Sequence, residues 1–507
     1  MINVQRSMLN LPLFTIKMLL LGIDLGTSSI KVSVIDADTQ KWIASAQYPD
    51  EEVGITSLEV GWAEQSPETW WNNIKQAIKK INATGKYDPK DIAAIGIGYQ
   101  MHGLVLVDKR QKVLRDSIIW CDSRAVDDGN KAFSAIGAEI CSCSLLNSPG
   151  NFTASKLGWV KRNEPKIYEQ ADKMMLPGDF VGMKMTGDIT TTPSALSEGI
   201  FWDFAKEEVS KDVMKHFGFD ADLIPKVNPV FSVHGDLTEN VAEELSLKPR
   251  IPVGYKAGDQ LNNAVSLNVF QPGEVAATAG TSGVIYAVTD KLFADKFSRV
   301  NAFAHVNHAS NHRRLGVLLC INGTGIMNRW TRDLSGSDYK FMNELTSRVS
   351  PGSDGLMVFP FGNGAERIFE NKIIGAHILN IDLNKHSRDH VFRAVQEGII
   401  FSFRYGLEIM KENGMQPSVI RVGRANMFLS DPFATAFVNT TNIPVEMYDS
   451  DGSVGAAIGA GIGAGIYLST EQAFRRFKMV GRIDPSDQAP HYENSYANWK
   501  NALLKIL

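Results

Sequence analysis

Apolar and polar positions along the chain follow two periods in turn. Met18 to Ile23 and Lys31 to Ile35 are apolar or alternating runs of strand length, joined through Asp24-Leu25-Gly26-Thr27-Ser28-Ser29. They predict a hairpin with a small-residue tip. Ser66-Pro67-Glu68 then supplies an N-cap and a proline at the first turn, and Trp70, Ile74, Ala77 and Ile78 recur at helical spacing. That segment predicts an amphipathic helix. Ile92 to Gly98 reads as a buried strand ending at Tyr99-Gln100-Met101-His102-Gly103, and Leu104 to Val107 resumes it. Helix follows strand repeatedly, so the fold class is α/β.

The hairpin pattern recurs. Ala279-Gly280-Thr281-Ser282-Gly283-Val284 lies between the strand-like runs Glu274 to Thr278 and Ile285 to Val288, and Gly280 stands 254 residues after Gly26. Two lobes are expected, each opening on a strand, a Gly-Thr-Ser turn and a strand. Gln271-Pro272-Gly273 is a turn signal at their boundary, and no low-complexity linker separates them. The expected division is an extension over 1–17, a first lobe over 18–268, a second over 269–467 and a helical tail over 468–507. Tyr492, Tyr496, Trp499 and Leu503 give that tail an amphipathic face.

Composition narrows the function classes. In 507 residues, 52 Lys and Arg stand against 56 Asp and Glu, a net charge of −4 without the basic stripe of a nucleic-acid binder. Four cysteines show no CxxC spacing, so neither a disulfide scaffold nor a thiolate metal site is expected, and a reducing cytoplasm fits. The charge-free stretch Val454 to Leu468 is shorter than the ~20 residues a membrane span needs. Within it Gly455, Gly459 and Gly463 repeat at i, i+4, which predicts a helix packed closely inside the second lobe. His305, His308 and His312 lie near no thiol or carboxylate and are expected on a surface loop.

Two places carry chemistry. The tip Gly26-Thr27-Ser28-Ser29 offers backbone N–H groups and hydroxyls to an anion, and Asp24 beside it suits a hydrated Mg²⁺ between carboxylate and phosphates. No Gly-x-x-x-x-Gly-Lys-Ser/Thr occurs, which disfavours the P-loop class. Further on, the strand Val253 to Tyr255 runs into Lys256-Ala257-Gly258-Asp259-Gln260, an acid among small residues at a strand end. Asp259 either accepts a proton from an attacking hydroxyl during bond formation or caps the following helix.

The set Gly22-Ile23-Asp24-Leu25-Gly26-Thr27-Ser28, Tyr99-Gln100-Met101-His102-Gly103, Ile119-Trp120-Cys121-Asp122-Ser123-Arg124, Ala257-Gly258-Asp259-Gln260 and Ala279-Gly280-Thr281-Ser282-Gly283 resembles the FGGY family of carbohydrate kinases. Phe152-Thr153-Ala154-Ser155-Lys156-Leu157-Gly158-Trp159 and Gly452-Ser453-Val454-Gly455 agree, and the motifs span about residues 19–467 in the family's order. The resemblance implies two actin-like lobes of RNase H-like type with ATP and a sugar in the cleft. It implies phosphorylation of D-xylulose to its 5-phosphate, with ATP and Mg²⁺ required. It assigns Asp259 as general base, Asp24 and Asp259 to the metal, and Gln100, Met101, His102, Trp120, Asp259 and Gln260 to the sugar. It assigns Thr27, Ser28, Gly280, Thr281, Gly325, Gly423 and Asn426 to the nucleotide.

Two departures stand out. The chain reads Val422-Gly423-Arg424-Ala425 where many relatives carry Gly-Gly, which sets Arg424 to crowd or stack on adenine. Gln260 stands where Asn is common. The alternative substrates are ribulose, fuculose or gluconate; glycerol is disfavoured because Met101-His102 follow Gln100 in place of an Arg-Glu pair. A sugar-binding regulator without catalysis is disfavoured by the intact Asp24, Asp259 and both turns. The expected partners are a ketopentose and ATP, with no nucleic acid and no membrane, and a homodimer is the assembly considered.

Overall fold

A computed structural model describes residues 17–507. The expected extension over 1–17 therefore lies, except for Lys17, outside the described residues. The first sheet consists of β1 (Leu19–Leu25), β2 (Ile30–Asp36), β3 (Trp42–Tyr48), β4 (Ile92–Tyr99) and β5 (Val253–Gly258), in the order β5-β4-β1-β2-β3. β1, β4 and β5 run parallel, and β2 pairs antiparallel with both β1 and β3.

Alternation along β1 sorts its side chains by face. Leu19, Leu21, Ile23 and Leu25 share a core with Trp70, Ile74 and Ile78 of helix α1 (Pro67–Asn82), as the helical spacing predicts. Leu20, Gly22 and Asp24 face the other way. Helix α2 (Pro177–Thr186) and the short helix α3 (Pro193–Glu198) follow, and α4 (Asp259–Ser266) leaves the end of β5 directly.

The second sheet repeats this plan. It holds β6 (Glu274–Ala279), β7 (Gly283–Thr289), β8 (Asn301–Ala304), β9 (Leu315–Ile321), β10 (Val419–Gly423), β11 (Val445–Tyr448) and β12 (Met479–Ile483), in the order β8-β9-β7-β6-β10-β11-β12. Its inner five, β9-β7-β6-β10-β11, match β3-β2-β1-β4-β5 in order and direction. The Gly-Thr-Ser echo thus marks a topological repeat. The helices that matter here are α5 (Gly325–Ser335), α6 (Arg388–Glu412), α7 (Gly452–Gly463) and α8 (Ala489–Leu503).

Two expectations need correction. The glycine-rich helix α7 does not pack inside the second lobe; it lies on the first sheet, across β1, β2, β4 and β5. A Cβ on Gly22 would fall 1.8 Å from the Ser453 carbonyl oxygen, and one on Gly96 would fall 2.0 Å from that of Ala456. Backbone meets backbone there, so glycine is required by space. The segment 468–507 is likewise more than a helical tail. It contributes the edge strand β12, and α8 is embedded in the second core, where Trp499 stacks on Phe359 at 5.0 Å and donates to the Val358 carbonyl at 2.8 Å.

The lobes meet through a continuous core that includes Met101, Phe152 and Leu261 of the first and Ala276, Tyr286 and Phe303 of the second. Asn147 clasps the edge of β8, donating to the Ala302 carbonyl at 2.6 Å and accepting from the Ala302 N–H at 3.1 Å and the Asn301 amide at 2.9 Å. His305 and His308 are part of this junction, contrary to the surface loop expected. His305 is fully buried, and His308 reaches Glu207 of the first lobe at 2.9 Å. Only His312 is exposed.

Candidate active site

Asp24 and Asp259 come together because both sit at the carboxyl ends of parallel strands. Asp24 is on the α7 face of β1, against the start of that helix: a Cβ on Gly452 would lie 2.4 Å from its Oδ2. Asp451 caps α7 through the N–H groups of Ser453 and Val454, at 3.0 and 3.2 Å. Burial, then the Asp451 charge, pushes the Asp24 carboxyl up to about 6, with Lys31 opposing.

Asp259 is the first helical residue of α4, and Gly258 occupies the cap position without any side-chain cap bond. Asp259 is therefore not the cap residue itself. Burial, then the negative charge of Asp24, pushes it up to about 7, while the Gln260 backbone N–H and side chain pull the other way. At the other end of the same helix face, Asn263 reaches the Thr278 hydroxyl of β6 at 3.4 Å. Helix α4 thereby touches both lobes.

The residues expected to hold a sugar divide into a surface and its support. Trp120 is 53% exposed and donates its indole N–H to Thr27 Oγ1 at 2.9 Å. Thr27 in turn donates to Gln100 Oε1 at 3.1 Å, and Gln100 donates to Gln65 Oε1 at 3.2 Å. Gln65 closes the ring by donating to the Thr27 carbonyl at 2.9 Å. So the Thr27 side chain is joined to the Trp120 and Gln100 group, although the resemblance assigned it to the nucleotide. Gln100 is buried behind that surface.

His102 is held at φ +61°, a left-handed conformation costly for a residue with a side chain. The buried Lys156 ammonium secures it by donating to the His102 carbonyl at 2.8 Å and to that of Ile119 at 2.9 Å. The imidazole Nδ1 lies 3.0 Å from the Glu198 carbonyl oxygen, which can only accept, so Nδ1 carries the hydrogen. Burial then holds the ring neutral, pushing its value down to about 3. Nε2 is left as an acceptor for a hydroxyl. Phe152 packs edge-on at 4.8 Å, and Phe303 of the second lobe approaches at 5.6 Å.

On the second lobe, a cavity of about 360 Å³ is lined by Gly280, Thr281, Gly325 and Asn426. The Gly325 and Ile326 N–H groups donate to the Gly280 and Thr281 carbonyls, each at 3.1 Å. A Cβ on Gly325 would fall 2.1 Å from the Gly280 oxygen, so this turn and the head of α5 are locked together. Gly423 ends β10 without lining the cavity, and Arg424 does not line it either. Met427 and Leu429 do. Ser28 stays on the opposite tip, in the first lobe.

Residues 19–266 match the N-terminal domain of the FGGY family of carbohydrate kinases. Over that span the chain is an FGGY carbohydrate kinase domain. A xylulose kinase of Lactococcus lactis is 29% identical over 493 residues, covering 95% of this chain and 95% of that protein. A xylulose kinase of Haemophilus influenzae is 27% identical over 411 residues, covering 79% and 82%. Among solved structures, a xyloylose kinase from Brucella ovis superimposes with a TM-score of 0.86 at 24% identity, covering 96% and 99%, which shows the same fold. The two-lobed, actin-like architecture of this kinase family is therefore the architecture of the chain.

Some of what surrounds the kinase site has no sequence signature. Gln65 lies just before the α1 cap, and Phe303 reaches His102 from the other lobe. Glu198 is 1% exposed, and neither carboxyl oxygen has a hydrogen-bond partner among the described residues. A Cβ on Gly258 would lie 2.7 Å from its Oε2. Among the described residues, no helix is long and apolar enough to cross a membrane, and no cluster of three or more metal-ligating side chains occurs.

Proposed function

We propose that this kinase transfers the γ-phosphoryl group of ATP to the terminal hydroxyl of D-xylulose, giving D-xylulose 5-phosphate. The observation that carries the chemistry is Asp259 at the head of α4, half-buried and raised to about 7 with the Asp24 charge contributing. A carboxylate with that value is a better proton acceptor near neutral pH than one at the ordinary 3.8. As the sugar oxygen bonds to the γ-phosphorus and the bond to ADP breaks, Asp259 takes the hydroxyl proton. His102 Nε2 and the Trp120 face orient the sugar. The Gly280-Thr281 turn, Gly325 and Asn426 hold the nucleotide, with Ser28 assigned to it from the first-lobe tip. The ketose itself is supported by the xylulose kinases named above.

The residues fit Mg²⁺. Asp24 and Asp259 are hard oxygen donors, each raised first by burial and then by a neighbouring carboxylate, Asp451 for Asp24 and Asp24 for Asp259, and a divalent cation held by them would offset that negative charge. Magnesium takes few protein oxygens, so two carboxylates suffice alongside waters and phosphate oxygens. When bound with ATP, it offsets charge on the phosphoryl oxygens. The four cysteines are free thiols, which fits a cytoplasmic location. A homodimer is the proposed assembly, to be checked by light scattering.

The test is ADP release from purified protein with MgATP across D-xylulose, ribulose, fuculose, gluconate and glycerol. D-xylulose should give the highest kcat/KM, with product mass matching the monophosphate. ADP formed at the same rate with and without every sugar would sink the proposal.

A further inference from the structure

The loop Asn322-Gly323-Thr324, between β9 and α5, is tied at both ends. Beyond it, the Gly325 and Ile326 N–H groups are engaged by the Gly280 and Thr281 carbonyls. At its start the partner is a side chain some forty residues further on. Glu366 Oε2 accepts from the Asn322 N–H at 3.0 Å, and Oε1 accepts from the Gly323 N–H at 2.7 Å. Glu366 is 0% exposed. The Asn322 side-chain amide adds a second tie, donating to the Ala365 carbonyl at 2.7 Å. The loop has no slack beneath it, since a Cβ on Gly323 would fall 2.0 Å from the Pro360 carbonyl oxygen.

A carboxylate taken wholly out of water is costly unless something answers its charge. Arg367, the next residue, is engaged elsewhere, donating Nε to the Ser298 carbonyl at 2.7 Å. Burial pushes Glu366 up to about 7, and the Asn322 and Gly323 N–H groups pull it back. Hydrogen bonds to a charged acceptor are stronger than neutral ones, and two to one carboxylate fix both the place and the tilt of the loop.

We infer that Glu366 is a positioning residue for the nucleotide: by holding Asn322 and Gly323 it sets, through Thr324 and Gly325, where the Gly280-Thr281 turn stands at the cavity. The inference rests on the reading of that cavity as the nucleotide site. Glu366 stands outside the cavity lining and acts only through the loop. The path is short, because the Thr324 hydroxyl also donates to the Thr281 carbonyl at 3.3 Å.

Steady-state kinetics of the full chain with MgATP and D-xylulose provide the first test. Glu366→Gln keeps the shape and one acceptor but sets an NH₂ group against the other backbone N–H. KM for ATP should rise at least about tenfold, with KM for D-xylulose within about twofold of the unmodified value. Glu397→Gln is the comparison for a merely structural role. The Glu397 carboxylate is also buried in the second lobe and clasps a loop, accepting from the Gly352 N–H at 3.0 Å and the Ser353 hydroxyl at 2.9 Å, yet neither of those residues lines the cavity. That variant should lose stability and keep its KM for ATP. A folded Glu366→Gln protein with unchanged kinetics, or one raising both KM values equally, would overturn the inference. Hydrogen exchange of the unmodified chain needs no variant. Added ADP should slow exchange together in fragments spanning 280–283 and 322–326. Protection of the turn alone would overturn the inference while leaving the nucleotide reading intact; protection of neither would overturn the reading of the cavity, and the inference with it.

Discussion

Gly463 of α7 rests directly on Gly254 of β5: a Cβ on Gly463 would fall 1.6 Å from the Gly254 carbonyl oxygen. With Gly22 and Gly96, this contact seats a helix from the second half of the chain on the first sheet, and the start of that helix abuts Asp24. Stability and catalytic geometry therefore share one packing interface.

Gly22→Ala should destabilise the kinase by at least about 2 kcal/mol, because the obstructing atoms are backbone and cannot rotate away. Gly54→Ala is the control, with nothing within 4 Å of its Cβ and an ordinary φ. Chemical denaturation should separate the two. A Gly22→Ala protein as stable as the control would contradict the close approach.

Asp259→Asn should lower kcat by ~10²–10⁴-fold while ADP affinity stays within a few-fold of the unmodified value. Single-turnover kinetics and a fluorescent ADP titration measure the two. Retained turnover would remove Asp259 from the role of base.

Trp120→Phe keeps the aromatic face but loses the hydrogen bond to Thr27 Oγ1. KM for the sugar should rise by ~2–10-fold, as one exposed hydrogen bond warrants, with KM for ATP unchanged. Equal changes in both would place Trp120 outside the sugar surface.

His305 tests the junction by pH. Its Nδ1 lies 2.8 Å from the Tyr286 hydroxyl and its Nε2 lies 3.1 Å from the Val269 carbonyl, so Nε2 donates and the ring is neutral. Burial pushes its value from 6.5 down to about 3. The unfolded chain takes up this proton below about 6.5 and the folded chain does not until about 3, so stability falls as pH drops through that window. Its share of the slope is ~1.4 kcal/mol per pH unit. Denaturation of His305→Gln between pH 6 and 4 should show a shallower dependence by that amount.

Local patterns carried most of this architecture into view. The strand-turn-strand runs around Gly26 and Gly280, the α1 face from Trp70 to Ile78 and the acid after Gly258 all lie where period and turn chemistry place them. What stayed hidden depends on partners distant in the chain. A helix as small and apolar as Gly452 to Gly463 signals close burial on every side, yet nothing in it names the surface it meets. The strand Met479–Ile483 is half-exposed at a sheet edge and lacks an apolar run. Glu198 sits in a polar stretch where nothing distinguishes a solvated acid from a buried one. The family resemblance assigns Thr27 to the nucleotide, whereas its hydroxyl is engaged by Trp120 and Gln100 from two other segments.

The placement of α7 also sets an order of events during synthesis. The five strands of the first sheet are complete by Gly258, but the face carrying Leu20, Gly22 and Asp24 stays open until Gly463 has left the ribosome. A nascent first lobe must therefore wait, one side uncovered, for some two hundred further residues. Cells that make this kinase have reason to shield that face with a chaperone while translation proceeds.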